Sequence, residues 1–306
     1  MISRFATFSS SCLLVLLMSM TAHSQQIADP HFNTRVENPA FSKNFPRVLF
    51  DEAHNNSDTT NGRYKPFADL LFNDGYHLAV NRQPFTKETL KTFKILVIVN
   101  PLGAEDMDDE SAEGPAFTAE ECDAVSDWVR GGGALLFVAD HGPFGSAAEI
   151  LAKKLGVDMS KGYTTDAANS DKELDDPGVI VYSRENHLLA EHAITNGRND
   201  AERVNRVIVF AGQSLKGSEG SDAFLKLSDT AVVKTAKPGK DVSVAGRAQG
   251  IAFRLGKGRV VVLGDAAMLS AQLTGSDNKP FGMNVPDIDN RQLTLNIMHW
   301  LSGLLK

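Results

Sequence analysis

The stretch Gly131-Gly132-Gly133-Ala134-Leu135-Leu136-Phe137-Val138-Ala139-Asp140-His141-Gly142-Pro143-Phe144-Gly145 decides the fold. A glycine stop is followed by six apolar residues, an abrupt polar turn, and then Ala147, Ala148, Ile150, Leu151 and Leu155 at helical spacing. A short unbroken apolar run suits a strand covered on both faces. Strand, tight polar turn and helix in that order form a βα unit, which implies parallel pairing with helices packed on the sheet.

The same grammar repeats on either side. Val48-Leu49-Phe50 ends in Asp51-Glu52-Ala53-His54, and Ile95 to Val99 is closed by Asn100-Pro101, where proline cannot extend a ladder. A run over 259–263 ends in Gly264-Asp265, and further strands are expected at 179–182 and 207–211. Weaker alternating segments at 223–233 and 242–253 suit a small β-rich insertion or an antiparallel sheet edge. Helices are expected over 63–74, with Phe67, Leu70, Leu71 and Phe72 as the stripe and Gly75 as the stop, and from Thr118, which has capping-box spacing to Glu121. A last helix over 290–304 places Leu293, Ile297, Trp300, Leu301 and Leu304 on one face. The stretch 275–290 reads as a loop, and the acidic stretch 105–113 as a solvated one. The expected fold class is therefore α/β, a mostly parallel twisted sheet with helices on both faces.

Arg4, the apolar run Leu13 to Met18 and the small-residue exit Ala22-His23-Ser24 have the anatomy of a secretory signal peptide. The expected organisation is a signal peptide over 1–24, an extended proline-bearing lead-in over 25–46, and one α/β domain over 47–306, exported to the periplasm or secreted. No other segment is apolar enough to span a bilayer, so no integral membrane segment is expected after cleavage. Cys12 leaves with the signal peptide and Cys122 has no partner, so no intramolecular disulfide forms. Without Arg4 the formal charge of −7 becomes −8. Lysine and arginine are scattered along the chain, which argues against nucleic acid as a partner.

In an open parallel sheet, ligands bind beyond the carboxyl ends of the strands. Three strands end at an aspartate, Asp51, Asp140 and Asp265, and two histidines stand close by, His54 and His141. Delivered to one cleft, these five form a candidate catalytic cluster for acid–base work on a small polar ligand, or a seat for a divalent cation. Mixed Asp and His donors would suit zinc or manganese better than calcium. The sequence specifies no cofactor and no particular metal. The competing structural reading is that each aspartate caps the following turn and each histidine serves a carbonyl. Asn55, Asn56 and Gln272 could orient a polar ligand, whereas His192 is expected to shape a turn and His299 to pack in the last helix. Phosphate-loop and dinucleotide signatures are absent, and Leu255-Gly256-Lys257-Gly258-Arg259 reads as a tight turn between strands.

The segments Val48 to Asp51, Phe137 to Phe144, His192 to Gly197 and Gly258 to Asp265, closed by the helix Asn290 to Leu301, resemble the class I glutamine amidotransferase-like superfamily. The branch they look most like holds trehalose-utilisation-type proteins, gliding-motility and intraflagellar-transport domains, and families of unknown function. The resemblance implies a flavodoxin-like sheet. It does not imply glutaminase chemistry, because the turn at Ala139-Asp140-His141-Gly142 lacks the cysteine nucleophile and the strand that would carry the catalytic histidine ends in Gly264-Asp265. Two functions remain in view. One is a hydrolase or lyase acting on a small polar or carbohydrate-like molecule, and the other is a non-catalytic ligand-binding or scaffolding module.

Overall fold

A computed structural model describes residues 26–234 and 240–306. The signal peptide read over 1–24, with Cys12, lies outside the described residues. Five parallel strands form one side of a nine-stranded sheet: β1 (Arg47–Asp51), β2 (His77–Asn81), β3 (Ile95–Val99), β4 (Ala134–Val138) and β5 (Gly258–Leu263). Their spatial order is β2-β1-β3-β4-β5. This is the flavodoxin-like order, in which the chain reverses direction across the sheet between β1 and β3.

The sheet is less parallel than the sequence suggests. Beyond β5 the strands Ala248–Leu255, Leu215–Gly217 and Val157–Met159 pair antiparallel in turn, and Asp222–Lys226 pairs antiparallel with Ala248–Leu255. The cause is local. Gly256-Lys257 forms the expected tight turn, with Leu255 opposite Gly258 and Gly256 at φ 60°, so the chain enters β5 as a hairpin instead of crossing over a helix. The strands expected at 179–182 and 207–211 are Val179–Ser183 and Arg206–Phe210, paired with each other in a separate antiparallel ribbon. The expected loop over 275–290 contains Lys279–Gly282, which pairs with Ala271–Thr274, and the lead-in joins the same small sheet through Ile27–Ala28.

Strand alternation explains the two-faced packing. Phe50, Val97, Leu136 and Val261 point to one side, where they meet Phe67 and Leu71 of α1 (Lys65–Asn73) and Leu293 and Ile297 of the final helix Asn290–Ser302. Leu49, Ile98, Phe137 and Val262 point to the other, against Cys122, Val125 and Val129 of α2 (Ala119–Arg130) and Leu151 of α3 (Glu149–Lys154). Each such fully buried side chain contributes about 1.5–3 kcal/mol. Three members of the expected apolar stripes fall outside these cores: Phe72 is 69% exposed, Ile150 37%, and Leu304, beyond the last helix, 39%. Among the described residues, no helix is long and apolar enough to cross a membrane.

Candidate functional site

Because β1, β4 and β5 are parallel members of one sheet, Asp51, Asp140 and Asp265 all emerge at its carboxyl edge. The edge nevertheless carries two separate polar networks. Asp140, His141 and Asp265 line one cavity of about 150 Å³, while Asp51 and His54 are absent from its wall.

Asp51 and His54 belong to a buried ion network. His54 Nδ1 lies 2.8 Å from Asp51 Oδ2 and its Nε2 lies 2.9 Å from Glu121 Oε1. Both ring nitrogens thus face carboxylates, an arrangement satisfied by the doubly protonated imidazolium. Burial alone would lower the pKa of His54, but the hydrogen bonds and charges of Asp51 and Glu121 raise it overall. The ring is held between Phe85 and Phe117, at centroid distances of 4.6 and 4.7 Å. Asp51 also accepts from Asn81 Nδ2 at 3.0 Å, and Glu121 closes the capping box of α2 through Thr118. These groups are fully engaged in fixing the β1 loop to α2.

The second network surrounds the cavity. Asn100, at the end of β3, is its bridge: its Nδ2 donates to Asp58 Oδ2 and to Asp140 Oδ2, each at 2.9 Å, while its Oδ1 accepts from Asp140 N. Asp140 Oδ1 accepts from Ala266 N at 2.6 Å. Gln213 Nε2 holds the carbonyls of Ala139 and Asp140, both at 2.9 Å, and so pins the turn after β4. Asp265 accepts backbone N–H bonds from Phe210, Ala267 and Met268. Arg63 lines the same cavity, with Nε 3.0 Å from Asp58 Oδ1. His141 places Nδ1 3.1 Å from Gly142 O and its ring 5.5 Å from that of Tyr163.

The electrostatics follow from this crowding. Burial, helped by the charge of Asp58 and opposed by Asn100 and Ala266, pushes the Asp140 carboxyl up to about 6. Burial first, and then the charge of Asp140, raise Asp265 well above the usual carboxylate range despite its three backbone donors. Two acids in one low-dielectric pocket resist simultaneous ionisation, so the pair holds a proton to higher pH than isolated carboxyls do. The buried Tyr64 hydroxyl donates to Ala266 O at 2.7 Å and is raised by burial and then by Asp58, Asp140 and Asp265.

Two backbone features shape the wall. Ala211 adopts φ 61°, a left-handed conformation unfavourable for a residue with a Cβ. At Gly212 a Cβ would stand 2.6 Å from Gly264 O and 2.9 Å from Asp265 Cβ, so only glycine lets this segment cross the end of β5. Asp58, Arg63 and Asn100 were not legible as site residues from sequence, since each depends on a loop path. Gln272 was; it lines the cavity, 2% exposed, with its buried Oε1 lacking a hydrogen-bond partner among the described residues. Asn55 and Asn56 instead line a neighbouring cleft of about 380 Å³ that shares Arg63. His192 caps a helical turn by accepting from Ile194 N, and His299 is buried against Asp74 at 2.7 Å. Among the described residues, no group of three or more His, Cys, Asp or Glu is arranged to hold a metal ion.

No family model and no curated sequence matches the chain. Among solved structures it is similar to the mmIFT52 N-terminal domain, at 16% identity and TM-score 0.60, over 83% of this chain and 97% of that one. This likeness shows a shared fold. The chain is also similar to a GMP synthase component from Thermoplasma acidophilum, at 11% identity and TM-score 0.43 over 85% and 96% of the two chains. A ThuA-like protein from Bacteroides uniformis follows at 13% identity and TM-score 0.40 over 90% and 95%.

Proposed function

We propose that this exported α/β protein binds a small polar substrate in the cavity beyond β4 and β5 and processes it by acid–base chemistry, as a hydrolase or lyase. The observation carrying this reading is the placing of two acids on one cavity wall, Asp140, half-buried and pushed up to about 6, and the more deeply buried Asp265. A group with that pKa is divided between base and acid forms near neutrality, which is the condition for efficient proton transfer. Asp140 takes and returns the proton, Asp265 holds the acidic form, and His141 flanks the mouth. At about 150 Å³ the cavity is smaller than the ~300–1,000 Å³ of drug-sized sites, so it fits a small molecule or the end group of a larger one. The apolar run Leu13 to Met18 is what supports export.

The test is an NMR-monitored screen of small esters, amides and hydroxy acids. Turnover that disappears in Asp140→Asn and His141→Ala, while both variants unfold cooperatively, is the expected result. One observation favours the alternative of a binding or scaffolding module: both oxygens of Asp140 already accept protein hydrogen bonds. Turnover unaffected by either substitution would remove the acid–base reading, and ligand binding with a blank screen would support the module.

A further inference from the structure

Which ligand group enters the cavity can be read from the hydrogen-bonding capacity left over on its walls. Asp58 accepts from Arg63, Asn100 and Ser57, and Asp265 from three backbone amides. Asp140 accepts only two bonds, among the described residues, of the roughly four that a carboxylate offers. His141 directs Nδ1 at the carbonyl of Gly142, where it donates, and in the neutral ring this tautomer leaves Nε2 as an acceptor. Gln272 supplies the independent sign of an absent partner, a buried amide oxygen to which none of the described residues donates. The guanidinium of Arg63, the one full cation among the described residues of the wall, is already spent on Asp58, Gln26 Oε1 and Ser57 O. The charge balance has the same sense, with three carboxyl groups facing that single guanidinium.

Resting on the reading of this cavity as a ligand site, we infer that its ligand enters as a protonated primary amine, the ammonium lying among Asp140, Gln272 Oε1 and His141 Nε2. An ammonium carries three donors and no acceptor, which matches a wall with spare acceptors. A hydroxyl brings one donor and two lone pairs, and those lone pairs would face further acceptors. A carboxylate or phosphate would meet Asp58, Asp140 and Asp265 and be repelled. The cation also takes the place of the proton that the crowded acids otherwise retain, so binding releases a proton and strengthens as Asp140 ionises near pH 6. The charged and titratable groups around that step are Asp58 and Arg63 from the β1 loop, Tyr64, His141 and Asp265.

The probes are ethanolamine, glycerol and acetate, titrated into the full chain with the backbone amides of Ala211, Ala266 and Ala267 followed by NMR. Ethanolamine should bind, with affinity falling about tenfold from pH 7 to pH 5. In Asp140→Asn the affinity at pH 7 should drop at least tenfold and its fall from pH 7 to pH 5 should become smaller, and Gln272→Leu should weaken binding several-fold without altering the pH profile. Glycerol binding as tightly as ethanolamine, or ethanolamine binding unchanged by pH, would overturn the amine assignment while leaving a ligand site. If none of the three probes moves these amides, the amine assignment fails. If the wider substrate screen also leaves them unmoved, the ligand-site reading fails with it.

Discussion

Replacing Asp140 by asparagine should remove the pH-dependent contribution that this one carboxyl makes to stability. In the fold this carboxyl is raised from an ordinary 3.8 to about 6, so ionising it costs up to about 3 kcal/mol more than in the unfolded chain. A carboxyl raised on folding contributes stability that is fully present below pH ~4 and is lost as pH climbs through ~6. About 2 kcal/mol of that loss falls between pH 4.5 and pH 8. Asp140→Asn cannot ionise, and it also removes the charge that raises Asp265. The introduced amide meets the Asn100 Nδ2 donor now directed at Asp140 Oδ2, a fixed cost of about 1–3 kcal/mol at every pH. Urea unfolding at several pH values should therefore show the variant less stable at pH 4.5, with the gap closing by about 2 kcal/mol at pH 8. A gap that stays constant across that range would refute the argument that Asp140 is held in an unfavourable charged state.

Four further outcomes follow from the fold. His54→Ala strands the buried carboxylates of Asp51 and Glu121 and empties the space between Phe85 and Phe117, so urea unfolding should register a loss of about 3–5 kcal/mol. In the unmodified protein the stabilisation from this raised imidazole is full below pH ~6.5 and fades as pH rises through its folded value, which proton NMR of the ring should locate above 6.5. Ala211→Gly relieves a left-handed φ of 61° and should stabilise the fold by about 0.5–1 kcal/mol in the same denaturation assay, whereas an unchanged midpoint would mean the wall carries no strain. Gly75→Ala should cost more than about 2 kcal/mol, because Gly75 lies at φ 91° and a Cβ there would stand 1.9 Å from Phe41 O; wild-type stability in thermal unfolding would contradict that contact.

The parallel half of the sheet was legible because it is written in local terms. Unbroken apolar runs such as Ile95 to Val99, each ended by a polar turn, specify buried strands, and the Thr118–Glu121 capping box appears as the spacing implies. The antiparallel half was less legible. Val179–Ser183 and Arg206–Phe210 have the same apolar character as the central strands, and only tertiary pairing decides that they leave the main sheet. The acidic edge could be read for the same reason as the strands, since an aspartate after a parallel strand must emerge on one side. Its division into two networks could not, because that depends on Glu121 reaching His54 across 67 residues and on Asn100 joining Asp58 to Asp140.

Carbon-13 titration of the aspartate carboxyl groups examines the shared cavity itself. A carboxyl assigned to Asp140 with a midpoint near 6, and an Asp265 signal that shifts in Asp140→Asn, is the predicted result. Midpoints below about 4.5 for both residues, each indifferent to loss of the other, would contradict an acid pair at the sheet edge.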